Sequence, residues 1–99
     1  MGKAWPVKVR YTPRAFRQIS TILDYIGERS PRGADNVKVR LYSAINRLAD
    51  QPLSGQVTNT AGLRRLVVIP YPYVVFYQPT ASEIVIHSVR HAARRPRLK

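Results

Sequence analysis

The side chains best suited to chemistry in this chain are arginines and histidines in its last third. Arg64 and Arg65 stand together in the G-L-R-R-L at 62–66, and Arg90, His91, Arg94 and Arg95 close the run that begins at Glu83. Guanidinium groups hold phosphate or carboxylate through paired N–H donors, and imidazole exchanges a proton near neutral pH. These residue types fit two tasks. One is binding an anionic partner. The other is metal-free cleavage of RNA, in which a base takes the 2′-OH proton, cations hold the charge developing on the phosphorane, and an acid protonates the leaving oxygen. Each residue also has a plainer reading. A single arginine at a strand start is a solvated charge with its stem laid on the sheet. His91 would pin the C-terminal tail by a hydrogen bond, and His87, mid-strand between Ile86 and Ser88, would be a partly buried structural residue. Tyr71, Tyr73, Phe76 and Tyr77 could stack bases between cations, but core and edge packing is the commoner use of such aromatics.

Other chemistries are disfavoured by what the chain lacks. It has no paired-carboxylate motif, no G-x-S-x-G elbow, no P-loop and no H-E-x-x-H. Its five Asp and Glu make a multi-carboxylate metal nuclease hard to assemble. With no cysteine, and only His87 and His91 as imidazoles, a structural zinc site lacks a ligand set. No metal and no cofactor are expected. No apolar run approaches the ~20 residues of a membrane span. No signal-peptide hydrophobic region opens the chain, so no membrane role is expected and the cytoplasm is the expected location.

These residues must be held by a fold, and its elements are legible. Residues 7–12 alternate Val7, Val9 and Tyr11 with Lys8, Arg10 and Thr12, the pattern of a half-buried strand. Thr12-Pro13 is a helix start, because proline suits the first helical position, where an N–H would be unpaired anyway. Phe16, Ile19, Leu23 and Ile26 follow at helical spacing, with Arg14, Arg17 and Asp24 mostly off the stripe. Ser30-Pro31 repeats the start signal for a second helix with Ala34, Val37, Leu41, Ala44, Ile45 and Leu48 on its stripe, ending near Gln51-Pro52. So short a junction predicts an antiparallel helical hairpin. Residues 51–62 have no period and read as a loop. Strands are predicted at about 63–69, 73–78 and 83–90, and their short breaks predict an antiparallel meander.

The expected fold is therefore α+β, in the order β-α-α-β-β-β. An antiparallel sheet carries a helical hairpin on one face, in one domain spanning 1–99 with 1–6 and 95–99 frayed. Strict alternation would put Arg90 on one face with Ile84, Ile86 and Ser88, and His91 on the other with Val85, His87 and Val89. Alternation leaves open which set is covered. Of Arg64 and Arg65, one reaches the uncovered face.

Charge narrows the partners. Seventeen Lys and Arg against five Asp and Glu give a net charge of +12, and beyond residue 50 only Glu83 is acidic. Such an excess costs stability by self-repulsion and favours polyanions: nucleic acid, an anionic membrane or an acidic protein. A merely solubilising role is a weaker explanation, since acidic residues solubilise better.

The sequence also resembles the RelE/ParE superfamily of bacterial type II toxins over nearly its whole length. The resemblance rests on the element order and on four local patterns. These are L-x-x-x-P-x-x-G at Leu48, Pro52 and Gly55, the G-L-R-R-L, the Y-x-V-x-F/Y strand at 73–77, and I-x-x-V-x-H-x-x-R at Ile86, Val89, His91 and Arg94. It implies a small basic toxin made with an acidic antitoxin that wraps it, forming a hetero-oligomer. ParE-like members poison DNA gyrase, and RelE-like members cut mRNA in the ribosome. RelE-like nucleases typically carry several lysines and arginines on the open face and often a late tyrosine. Here no lysine lies between Lys38 and Lys99, and no tyrosine follows Tyr77. The V-x-H-x-x-R ending is closer to ParE. The favoured expectation is a gyrase-binding toxin without catalytic residues, its target surface formed by Arg64, Arg65, Arg90, His91, Arg94 and Arg95. The alternatives are a ribosome-dependent endoribonuclease using Arg64, Arg65, Arg90 and His91, and a non-toxic nucleic-acid-binding module.

Overall fold

The computed structural model describes residues 7–93. The expected fraying at 1–6 and 95–99, and the placement of Arg94 and Arg95, lie outside the described residues. Strand β1 (Lys8–Tyr11) leads into helices α1 (Pro13–Arg29) and α2 (Pro31–Arg47), and strands β2 (Gln56–Val57), β3 (Arg64–Val67), β4 (Tyr73–Pro79) and β5 (Glu83–His91) follow.

Two hydroxyls start the helices. Thr12 Oγ1 accepts from the N–H of Ala15 at 3.1 Å, and Ser30 Oγ accepts from Gly33 at 2.9 Å, each just before a proline. Each cap satisfies an N–H that the helix cannot pair internally. Ser30 also ends α1, donating its N–H to the Ile26 carbonyl at 2.8 Å, so a single residue turns the hairpin.

The sheet runs β1-β5-β4-β3-β2. Strands β3, β4 and β5 form the expected antiparallel meander. The sheet is mixed rather than antiparallel throughout, because β1 lies parallel to β5 with Lys8 opposite Glu83 and Tyr11 opposite Ile86. Tight turns dictate antiparallel neighbours, but β1 is linked to the meander through both helices, and no turn fixes its direction. The segment read as loop also supplies β2, which adds its two residues antiparallel to Arg64 and Arg65.

The helices cover one face. Ile19 of α1 and Leu41, Ile45 and Leu48 of α2 and its end meet Val75 and Tyr77 of β4 and Ile84, Ile86 and Val89 of β5, all essentially inaccessible to water. Each buried aliphatic side chain contributes roughly 1.5–3 kcal/mol relative to exposure. That Ile84, Ile86 and Val89 share one face breaks strict alternation. The cause is a β-bulge: Phe76 pairs with Ser88 and the next residue, Tyr77, with Ile86, leaving His87 as the extra residue in β5.

A second knot ties the 51–62 segment to the sheet. The buried Tyr77 hydroxyl accepts from the Gly55 N–H at 2.8 Å and donates to the Pro52 carbonyl at 2.8 Å. A Cβ at Gly55 would stand 2.6 Å from both the Arg65 carbonyl oxygen and the Tyr77 hydroxyl, so only glycine fits. Tyr77→Phe leaves the Gly55 N–H buried without a partner. It should lower stability by about 1–3 kcal/mol, and Gly55→Ala by at least as much, in urea denaturation.

Tyr11 packs edge-on against Tyr42 at 5.9 Å between ring centroids. Burial, and secondarily Tyr42, push the Tyr11 phenol up from 10.0 to about 12. The folded state thus keeps this proton to higher pH than the unfolded chain. The associated stability is intact below about pH 10 and is lost as pH rises towards about 12. Tyr11→Phe should flatten the fall in denaturation midpoint between those limits.

Candidate functional site

The bulge decides which side chains share the outer face. On β5 it turns Val85, His87, Ser88 and Arg90 outward, beside Phe76 and Gln78 of β4. His91 falls on the helix-covered side with Val89. The expected groupings of Arg90 with Ile84 and Ile86, and of His91 with His87, are both corrected by this one extra residue.

On the outer face an open groove of about 710 Å³ is walled by Thr58, Asn59, Thr60 and Ala61 on one side and by Thr12 and Arg14 on the other, with Phe76, Gln78, His87, Ser88 and Arg90 between them. Arg90 lays its guanidinium over the Phe76 ring at 5.1 Å. His87 Nε2 lies 3.1 Å from Gln78 Oε1. Thr12 Oγ1 donates to the His87 carbonyl at 3.1 Å, so the hydroxyl that caps α1 also secures the bulge.

The arginine pair divides as alternation requires. Arg65, opposite Phe76, faces outward and donates to Gln56 Oε1 at 3.1 Å. Arg64, opposite Tyr77, turns to the covered side and donates to the Gly55 and Leu53 carbonyls at 2.8 and 3.3 Å. Arg64 thus joins the Pro52–Gly55–Tyr77 knot. Two of the sequence patterns, P-x-x-G and G-L-R-R-L, mark this contact.

His91 stacks edge-on against Tyr73 at 5.4 Å, and its Nδ1 accepts from the Ala93 N–H at 3.1 Å. It also lines a second cleft, of about 580 Å³, between α1 and the end of β5, with Arg14, Arg17, Gln18, Thr21 and Arg90. Arg64 therefore points away from Arg90 and His91, which meet at the cleft between α1 and the end of β5. Among the described residues no group of three metal-ligating side chains gathers, and no helix is long and apolar enough to cross a membrane.

The profile described as "ParE toxin of type II toxin-antitoxin system, parDE" matches residues 9–96. The chain belongs to the ParE toxin family. This ParE-family chain is 42% identical over 87 residues to Toxin RelE2 of Caulobacter vibrioides, covering 88% of this chain and 97% of the relative. It is 33% identical over 85 residues to Putative toxin Y4kP of Sinorhizobium fredii, covering 86% and 88%. Among solved structures it resembles the chromosomal ParDE toxin–antitoxin system from P. aeruginosa, with a TM-score of 0.76, 17% identity and coverage of 86% of this chain and 95% of that one. It also resembles the RelBE2 toxin–antitoxin complex from Mycobacterium tuberculosis, with a TM-score of 0.62, 23% identity and coverage of 95% and 100%. It is thus a type II toxin of the RelE/ParE superfamily.

Sequence reasoning set aside several residues that frame the site of this ParE-family chain. Thr12 was read only as a cap, and Phe76 as packing. Arg14 and Arg17 were placed off the apolar stripe, and their spacing of three was the available signal that they share a helix face. Arg64→Ala removes donors from loop carbonyls and should lower stability by roughly 1–3 kcal/mol. Arg90→Ala, on an exposed residue whose ring contact is worth about 0.5–1 kcal/mol, should cost no more than that. Thermal unfolding of both variants checks the ordering.

Proposed function

We propose that this toxin acts by binding, as a ParE-like inhibitor of DNA gyrase, and that an acidic antitoxin neutralises it. The observation that carries the first part is the loss of Arg64 from the candidate catalytic set. A nuclease needs its base, its acid and its phosphate-holding cations converging on one concave patch. Arg64 is committed to the loop carbonyls of Leu53 and Gly55 and Arg65 to Gln56 Oε1, which leaves Arg90 and His91 at the α1–β5 cleft without them. A broad cationic surface suits recognition of a large anionic assembly. Arg94 and Arg95, also expected at the target surface, lie outside the described residues. The cytoplasm, where gyrase works, is the corresponding location.

The antitoxin is supported by charge and by kinship. A net charge of +12 is complemented by an acidic partner. The two solved relatives are described as the ParDE system and the RelBE2 toxin–antitoxin complex. Such a partner folding over the toxin would form a hetero-oligomer.

A second reading keeps one specific support. Toxin RelE2 is a 42% identical relative, and His87, Arg90 and Arg14 line one groove. A ribosome-dependent endoribonuclease would use that groove rather than the set anticipated from sequence.

Purified protein in excess should inhibit supercoiling of relaxed plasmid by gyrase and leave mRNA intact in toeprinting on translating ribosomes. Unimpaired supercoiling with cut mRNA would replace the first reading with the second. Co-expression with a cognate acidic antitoxin should yield a complex that survives moderate salt. Recovery of free toxin alone at low salt would refute the partner.

A further inference from the structure

The arginines among the described residues fall into two groups. Arg10, Arg29, Arg40, Arg64 and Arg65 each donate to an acceptor within the protein. Among the described residues, Arg14, Arg17, Arg32, Arg47 and Arg90 make no such hydrogen bond. Three of these, Arg14, Arg17 and Arg90, line the same cleft between α1 and the end of β5.

Of the other lining residues, Gln18, Thr21 and His91 offer donors and Ile22 and Val89 are apolar. Gln18 Oε1 accepts from the Val89 N–H at 2.8 Å, which leaves its NH2 as the remaining polar group. His91 Nδ1 accepts from the Ala93 N–H, so the neutral ring carries its proton on Nε2, as a donor. Thr21 adds a hydroxyl, and among the described residues no carboxylate lines the cleft. The first turns of the 17-residue helix α1 supply Arg14 and Arg17, and its positive dipole end lies at the same place. Arg14 and Arg90 also line the outer-face groove, so the two depressions share a cationic ridge.

We propose that the α1–β5 cleft binds the phosphodiester backbone of DNA directly, through Arg14, Arg17 and Arg90 with Gln18 and Thr21 as further donors. This goes beyond inhibition of gyrase, because it requires no gyrase. Phosphate oxygens accept only, and they repeat along a strand. A cleft with three arginines and no carboxylate among its described lining residues is therefore complementary to them. The fit is to the backbone and not to base edges, so the binding is expected to be indifferent to sequence.

Fluorescence anisotropy of the full-length chain with a labelled mixed-sequence duplex, in the absence of gyrase, tests this. Affinity should fall with salt, with a log–log slope near −0.9 per phosphate neutralised. The double substitution Arg14→Ala/Arg17→Ala should weaken binding about tenfold or more and make the slope shallower by about two. Arg32→Ala/Arg47→Ala removes the same charge elsewhere and should change affinity by no more than about twofold. Equal losses in the two doubles would reduce the effect to general electrostatics and overturn the site, as would a wild-type chain that does not bind. Circular dichroism melts confirm that each double is folded. Supercoiling is read separately. A chain that binds DNA but spares gyrase keeps this site and sinks the gyrase reading, and one that inhibits gyrase without binding DNA does the reverse.

Discussion

One extra residue in β5 governs both faces of the sheet. With strict alternation Ile84 and Ile86 would face one way and Val89 the other, and the strand could not give all three to the helices. The bulge at His87 resets the phase midway, so all three are buried against α1 and α2. It also exposes a carbonyl on the edge of β5 beyond the end of β1. Thr12 takes that carbonyl with the hydroxyl that caps α1, and Gln18, two turns further on, takes the Val89 N–H. Helix α1 thus completes the edge of β5 where β1 stops. The bulge, the cap and the helix position depend on one another, and their junction is where the cationic cleft opens.

Most of the conspicuous sequence patterns serve architecture. Pro52, Gly55, Arg64 and Tyr77 are dispersed along the chain, yet they form one buried contact in which a phenol, a guanidinium and backbone groups satisfy one another. The knot holds the 51–62 segment against β3, and from there the residues at 58–61 overhang the outer groove. Gly62, at a φ of +80°, turns the chain into β3 in a conformation that only glycine adopts without strain. Arg64 therefore belongs with the scaffold, although its type and its neighbour Arg65 invite a catalytic reading.

What was legible in the sequence was whatever a local signal could encode. The helix starts at Pro13 and Pro31 followed from hydroxyl–proline pairs, and the meander from short breaks between β-rich runs. The parallel direction of β1, the two residues of β2 and the bulge were not legible. Each is a backbone hydrogen-bonding choice between segments distant in sequence, and no side-chain pattern reports it. The faces of Arg90 and His91 were lost with the bulge, because a period of two carries an error of one residue to every later position. That loss, more than any residue identity, separated the sequence picture of the site from the folded one.

Charge alone does not explain the site that results. Among the described residues one ion pair forms, Arg10 with Glu83 at 3.1 Å, and it joins β1 to β5 at the surface. The carboxylates Asp24, Glu28 and Asp35 ride on the helices and do not line the cleft. The cations at the cleft thus form no ion pair within the described fold and are carried on regular elements, the capped first turns of α1 and a strand paired to β4. Holding donors on rigid elements reduces the ordering cost that a flexible basic tail would incur on binding. The same total charge spread over mobile chain would attract polyanions from a distance. Fixed between α1 and β5, it also sets the spacing and direction that a bound anion must match, and selectivity can come only from that.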